Sequence, residues 1–75
     1  MAILDLHGIR HEEVERVMNS FINSNFYKNM KIITGRSQTM RSLVCTIIEC
    51  YDLEYQIGDL ANDGYIMIYN YSEEK

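Results

Sequence analysis

The chain reads as an α/β module, a two-layer sandwich of order βαβαββ in which a four-stranded mixed sheet carries two helices on one face. Three observations lead there. Apolar residues recur at helical spacing in two stripes, first Val14, Val17, Met18, Phe21 and Ile22, then Met40, Leu43, Val44, Ile47, Ile48 and Tyr51. Short apolar runs stand before, between and after these stripes. The length of 75 residues leaves room for one core, because two units of under about forty residues each would rarely hold together.

Each element has its own signature. In Met1 to Leu6, Ala2, Leu4 and Leu6 alternate with Ile3, Asp5 and His7, which is the period of a strand and puts Asp5 and His7 on one face. Gly8 breaks it. The first helical stripe follows, with Glu12 and Glu13 in the opening turn where the helix dipole favours negative charge. The Asn-rich stretch from Asn19 to Asn29 is expected to close that helix into a loop. Met30 to Thr34 ends at Gly35 and reads as a second strand. The second helical stripe starts at Met40, with Ser37 or Thr39 as its N-cap. Leu53, Tyr55 and Ile57 alternate with Glu54 and Gln56 as a third strand, Tyr65 to Tyr71 forms a fourth, and Gly58 to Gly64 joins them as a hairpin loop. The first two strands, separated by a helix, should lie parallel. Residues 1–75 make a single domain whose tail, Ser72 to Lys75, is expected to fray.

Composition narrows the classes of function. Uninterrupted apolar stretches such as Met1 to Leu4 and Tyr65 to Tyr69 fall far below the roughly 18 residues that span a bilayer, so no membrane role is expected. Cys45 and Cys50 lie five apart in one helix, about 140° round its axis, and cannot pair, which suits a reducing cytoplasm. The net charge of −4 argues against a protein that coats nucleic acid by bulk electrostatics. The charge is also uneven. Residues 1–47 hold six basic and four acidic side chains, a net of +2, whereas residues 48–75 hold one and seven, a net of −6. An anion site therefore belongs to the first two thirds of the chain.

Two strand-to-helix turns should lie side by side at the carboxyl ends of the first two strands, where open α/β sheets place their sites. One is Leu4-Asp5-Leu6-His7-Gly8 and the other is Thr34-Gly35-Arg36-Ser37. Gly35 can take backbone angles other residues avoid, a helix start offers unpaired N–H groups, and Arg36 supplies a fork that fits phosphate. The same residues also suit a turn with no ligand. Histidine is the side chain that changes charge nearest neutral pH, so His7 beside such a cradle could move protons in phosphodiester cleavage, with Asp5 orienting it or acting alongside. A structural, hydrogen-bonded His7 is the alternative. A divalent metal is a third reading, since Asp-x-His can donate two ligands, although no third ligand can be named. Tyr65, Tyr69 and Tyr71 share a face of the last strand with Met67, and they suit base stacking, a dimer contact or core filling.

Taken in order, the strand, Leu4-Asp5-Leu6-His7-Gly8, the helix opening with Glu12-Glu13, Ile32-Ile33-Thr34-Gly35-Arg36, and a helix followed by two strands resemble the small MutS-related (Smr) domain family. The resemblance runs from Ile3 to Tyr71. It implies a fold like the C-terminal domain of translation initiation factor 3, nucleic-acid binding, and in many members cleavage of RNA or nicking of DNA. Carried over by position, it implies Asp5, His7 and Arg36 as catalytic residues. Gly8, Arg10, Thr34, Gly35, Arg36, Ser37 and Arg41 would contact the nucleic acid or its phosphates. Ser37 departs from the pattern, standing where the family usually has a second glycine. The expected function is a nuclease that needs no cofactor, cleaving RNA in preference to nicking DNA; the alternative is a non-catalytic module that binds nucleic acid or protein through the same face.

Overall fold

The structure, a computed structural model, describes residues 1–59 and 61–69. Six elements follow in the expected order: β1 (Ala2–Asp5), α1 (His11–Ser24), β2 (Met30–Ile33), α2 (Gln38–Cys50), β3 (Glu54–Ile57) and β4 (Tyr65–Tyr69). The four strands form one mixed sheet of order β1-β2-β4-β3, in which β1 and β2 are parallel and the other two pairings antiparallel. Ser72 to Lys75 and Tyr71 lie outside the described residues.

The helical stripes dock on one face of this sheet. Val14, Met18 and Ile22 of α1 and Met40, Val44 and Ile48 of α2 are buried against Met30, Ile32, Ile66 and Ile68. Leu6 closes this core at the end of β1. Each fully buried aliphatic side chain of this kind contributes about 1.5–3 kcal/mol. Tyr51 ties the helices together by donating its hydroxyl to Asn19 Oδ1 at 2.6 Å. Strand alternation sends Ile3, Asp5, Lys31 and Gln56 to the other face, which no helix covers.

One boundary differs from the sequence reading. The stretch from Asn19 to Ser24 continues α1 instead of opening a loop, because Phe21 and Ile22 anchor that turn to the core while Ser20, Asn23 and Ser24 face outward. Asn23 Nδ2 donates to the Asn19 carbonyl at 2.8 Å, and the helix closes where the backbone and side-chain N–H groups of Asn25 reach the Phe21 carbonyl. At the start of α2, Ser37, one of the two caps the sequence offers, is the N-cap, its hydroxyl accepting from the Met40 amide at 3.1 Å. Cys45 and Cys50 are both free thiols. Among the described residues, no helix is long and apolar enough to cross a membrane.

Candidate functional site

Parallel pairing brings the two strand-to-helix turns together. Asp5 sits opposite Ile33 in the register, and the next amide, that of Leu6, donates to the Ile33 carbonyl at 2.9 Å. The chain then reverses through Gly8, whose φ of +83° is one that side-chain-bearing residues rarely adopt, and Ile9 N–H returns to the Leu6 carbonyl.

Within this turn one carboxylate oxygen organises His7. Asp5 Oδ1 accepts the His7 amide at 3.0 Å and lies 2.7 Å from His7 Nδ1. Donation from the His7 backbone N–H, and then from its ring, holds the Asp5 carboxyl below its ordinary pKa. Asp5 is therefore ionised at neutral pH and can only accept, so the ring proton belongs on Nδ1. In the neutral ring, Nε2 then carries the free lone pair. That nitrogen faces the second turn. A β-carbon built on Gly35 would stand 3.0 Å from His7 Nε2, so the ring rests where a side chain at position 35 would begin.

The second turn is held by the hairpin between β3 and β4. The amides of Thr34 and Gly35 both donate to the Gly64 carbonyl at 2.9 Å, and the hydroxyl of the buried Thr34 lies 2.9 Å from the Gly35 carbonyl and 3.3 Å from that of Gly64. Gly35 has φ +69°. Beyond it, the opening N–H groups of α2 lack intrahelical acceptors, as at every helix start. Arg36 is exposed, with Nε 3.7 Å from Asp63 Oδ1. Arg41 is largely buried: its Nη1 donates to the Asp63 carbonyl at 3.1 Å and lies 3.7 Å from Asp63 Oδ2, while Nη2 donates to Gln38 Oε1 at 2.8 Å.

The residues singled out from the sequence thus take distinct places. Asp5, His7 and Gly35 form one contact group, and Gly8 shapes the turn that presents His7. Thr34 and Gly35 direct their amides to Gly64, so they fix the form of the turn. Ser37 turns its hydroxyl to the helix it caps. Arg36 and Arg41 converge on Asp63. Arg10 is the exposed N-cap of α1, with Nη1 3.5 Å from Glu12 Oε2. Asp63 and Gly64 are the site residues that sequence reading missed. Among the described residues, no group of three or more His, Cys, Asp or Glu side chains is placed to hold a metal ion, so Asp5 and His7 have no third such ligand beside them. A hollow of about 460 Å³ between the helices, lined by His11, Glu15, Thr39, Leu43 and Ile47 among others, is separate from this group.

In comparisons with protein-family models, with curated proteins and with solved structures, no match to this chain was found.

Proposed function

We propose that this chain is an Smr-type domain that binds nucleic acid and cleaves RNA phosphodiesters, with His7 Nε2 as the proton-transferring group. The observation that carries the reading is the alignment of Asp5, His7 and Gly35: an ionised carboxylate fixes the tautomer, and the free nitrogen points at a turn that opens a helix. In the reaction, Nε2 takes the proton of a ribose 2′-hydroxyl, the resulting oxygen attacks phosphorus, and the 5′-oxygen leaves with a proton from the solvent or from the same imidazolium. Arg36 and the first N–H groups of α2 stabilise the charge that develops on the phosphoryl oxygens. Asp5 acts through His7 as a positioning residue. The free thiols Cys45 and Cys50 suit a reducing cytoplasm.

The chemistry at the cut end tests this directly. Cleavage by the 2′-hydroxyl leaves a 2′,3′-cyclic phosphate and spares RNA carrying a single 2′-deoxy substitution at the scissile position. Cleavage of that deoxy substrate, or nicking of supercoiled DNA at a comparable rate, contradicts the 2′-hydroxyl route.

One observation favours a second reading, a binding module without turnover. Asp63 already pairs with both Arg36 and Arg41, each at 3.7 Å, in a chain of net charge −4. Steeply salt-dependent RNA binding with no product under any condition is its signature.

A further inference from the structure

The hairpin that joins β3 to β4 occupies the second turn in the manner of a bound anion. Its Gly64 carbonyl takes two backbone N–H groups of that turn, and its Asp63 carboxylate sits between two arginines, with Oδ1 toward Arg36 and Oδ2 toward Arg41. The two arginines differ. Arg41 is held by the Asp63 carbonyl and by Gln38, bonds that survive without the Asp63 carboxylate. Arg36 is 81% exposed, its Nε stands 3.7 Å from the carboxylate, and its fork can swing to another anion. A ligand phosphate that takes the Arg36 fork competes with a carboxylate that belongs to the protein.

We infer that Asp63 is an internal stand-in for a substrate phosphate, and that it sets how much negative charge a ligand must bring before it occupies the turn beside His7. The inference rests on the nucleic-acid reading above and specifies the ligand class: a chain carrying several phosphates competes with Asp63, whereas a single phosphate group does not. Two independent features allow the carboxylate to give way. It is more than half exposed, and the turn that carries it is fixed by other bonds, the Gly64 amide donating to Asn62 Oδ1 at 2.8 Å and the Asp59 amide to the Asn62 carbonyl at 2.8 Å. Asp63→Asn keeps the shape and every backbone bond of the loop while removing the charge.

The test is binding of a labelled single-stranded RNA oligonucleotide across a salt series, measured for the parent chain, Asp63→Asn and Glu15→Gln. The last removes one negative charge from α1, outside the site. The expected result is that Asp63→Asn binds about threefold to tenfold tighter at low salt, the scale of two surface ion pairs. Its log Kd should also depend more steeply on log salt, by about 0.7, as one more phosphate contact gives on a single strand. Glu15→Gln should leave the slope unchanged. The gain of Asp63→Asn should shrink when Arg36→Gln is added, because the two residues act on one another. Inorganic phosphate at matched ionic strength should not compete with the oligonucleotide on the parent chain.

Parent-chain binding with the same affinity and slope in Asp63→Asn overturns the role of Asp63 and leaves the nucleic-acid reading standing. Equal gains in Asp63→Asn and Glu15→Gln overturn it as well, since bulk charge then explains both. Binding seen only in Asp63→Asn supports it strongly. Binding in neither protein, down to low salt, overturns the inference together with the reading beneath it.

Discussion

His7 Nε2 faces Gly35 across two strand ends: the ring nitrogen lies 3.0 Å from the point where a β-carbon on Gly35 would sit. The absence of a side chain at position 35 is what lets the imidazole reach the start of α2.

Two glycine substitutions separate backbone strain from that contact. Gly8→Ala and Gly35→Ala both place a β-carbon at positive φ, and each should cost about 1–2 kcal/mol in urea unfolding. Beyond its chain neighbours His7 and Ile9, the β-carbon at Gly8 meets nothing within 4 Å, whereas the one at Gly35 is set against the His7 ring from the other strand end. Gly35→Ala should therefore displace the imidazole, shift the His7 ring resonances in NMR spectra more than Gly8→Ala does, and lower cleavage beyond its effect on stability.

Asp5→Asn should keep the turn, because its side-chain oxygen can still accept the His7 amide, yet lose the requirement that Nδ1 carry the proton. The expected loss in cleavage rate is on the order of 10²-fold or more, with RNA affinity little changed. An equal fall in affinity and rate points instead to a carboxylate that contacts RNA.

Ser37→Ala removes the hydroxyl that caps α2 and should lower stability by about 1 kcal/mol, while Ser37→Gly should lower it by only a few tenths. The serine that departs from the Smr pattern spends its hydroxyl on the Met40 amide, so it belongs to the helix start more than to a ligand. RNA cleavage in Ser37→Gly should accordingly stay close to that of the parent chain.

Acid should weaken the fold through two exposed carboxylates. Asp5 is held below its ordinary value of 3.8 by the His7 amide and ring. Asp59 is held below the same value by the Asn62 amide first, then by the Tyr65 hydroxyl and the Ala61 amide. A lowered folded-state value means that the stabilisation is complete above the ordinary value and is lost as pH falls through the folded one. Urea midpoints should thus be insensitive to these groups above about pH 5 and drop below about pH 4. Asp59→Asn should flatten part of that drop.

Much of the fold is legible in the residues, and the exceptions have physical causes. The stripes from Val14 to Ile22 and from Met40 to Ile48 mark both helices because burial follows the helical period. The end of α1 was hidden, since the outward face of a helix is as polar as a loop and only Phe21 and Ile22 reveal that the turn continues. The alternation of a strand puts Asp5 and His7 on one face, but β1 ends at Asp5 and His7 lies in the turn, so the two meet because the His7 amide and ring fold back onto Asp5 Oδ1. The neighbouring second turn followed from parallel pairing of β1 with β2. Asp63 and Gly64 were not legible in the same way. They reach the site only because β4 pairs antiparallel with β2, setting Tyr65 opposite Ile33 and bringing the preceding loop to the strand ends. That pairing joins residues about thirty positions apart and is not encoded in any local period.

Under the proposal, His7 moves the proton in a cleavage that depends on the ribose. The most direct measurement of this role is the rate of single-stranded RNA cleavage in EDTA by the purified chain and by His7→Ala. A metal-free His7 mechanism predicts cleavage by the parent that falls on the order of 10²-fold or more in the variant. Equal rates in the two proteins, or cleavage by the parent only when Mg²⁺ or Mn²⁺ replaces EDTA, would contradict it.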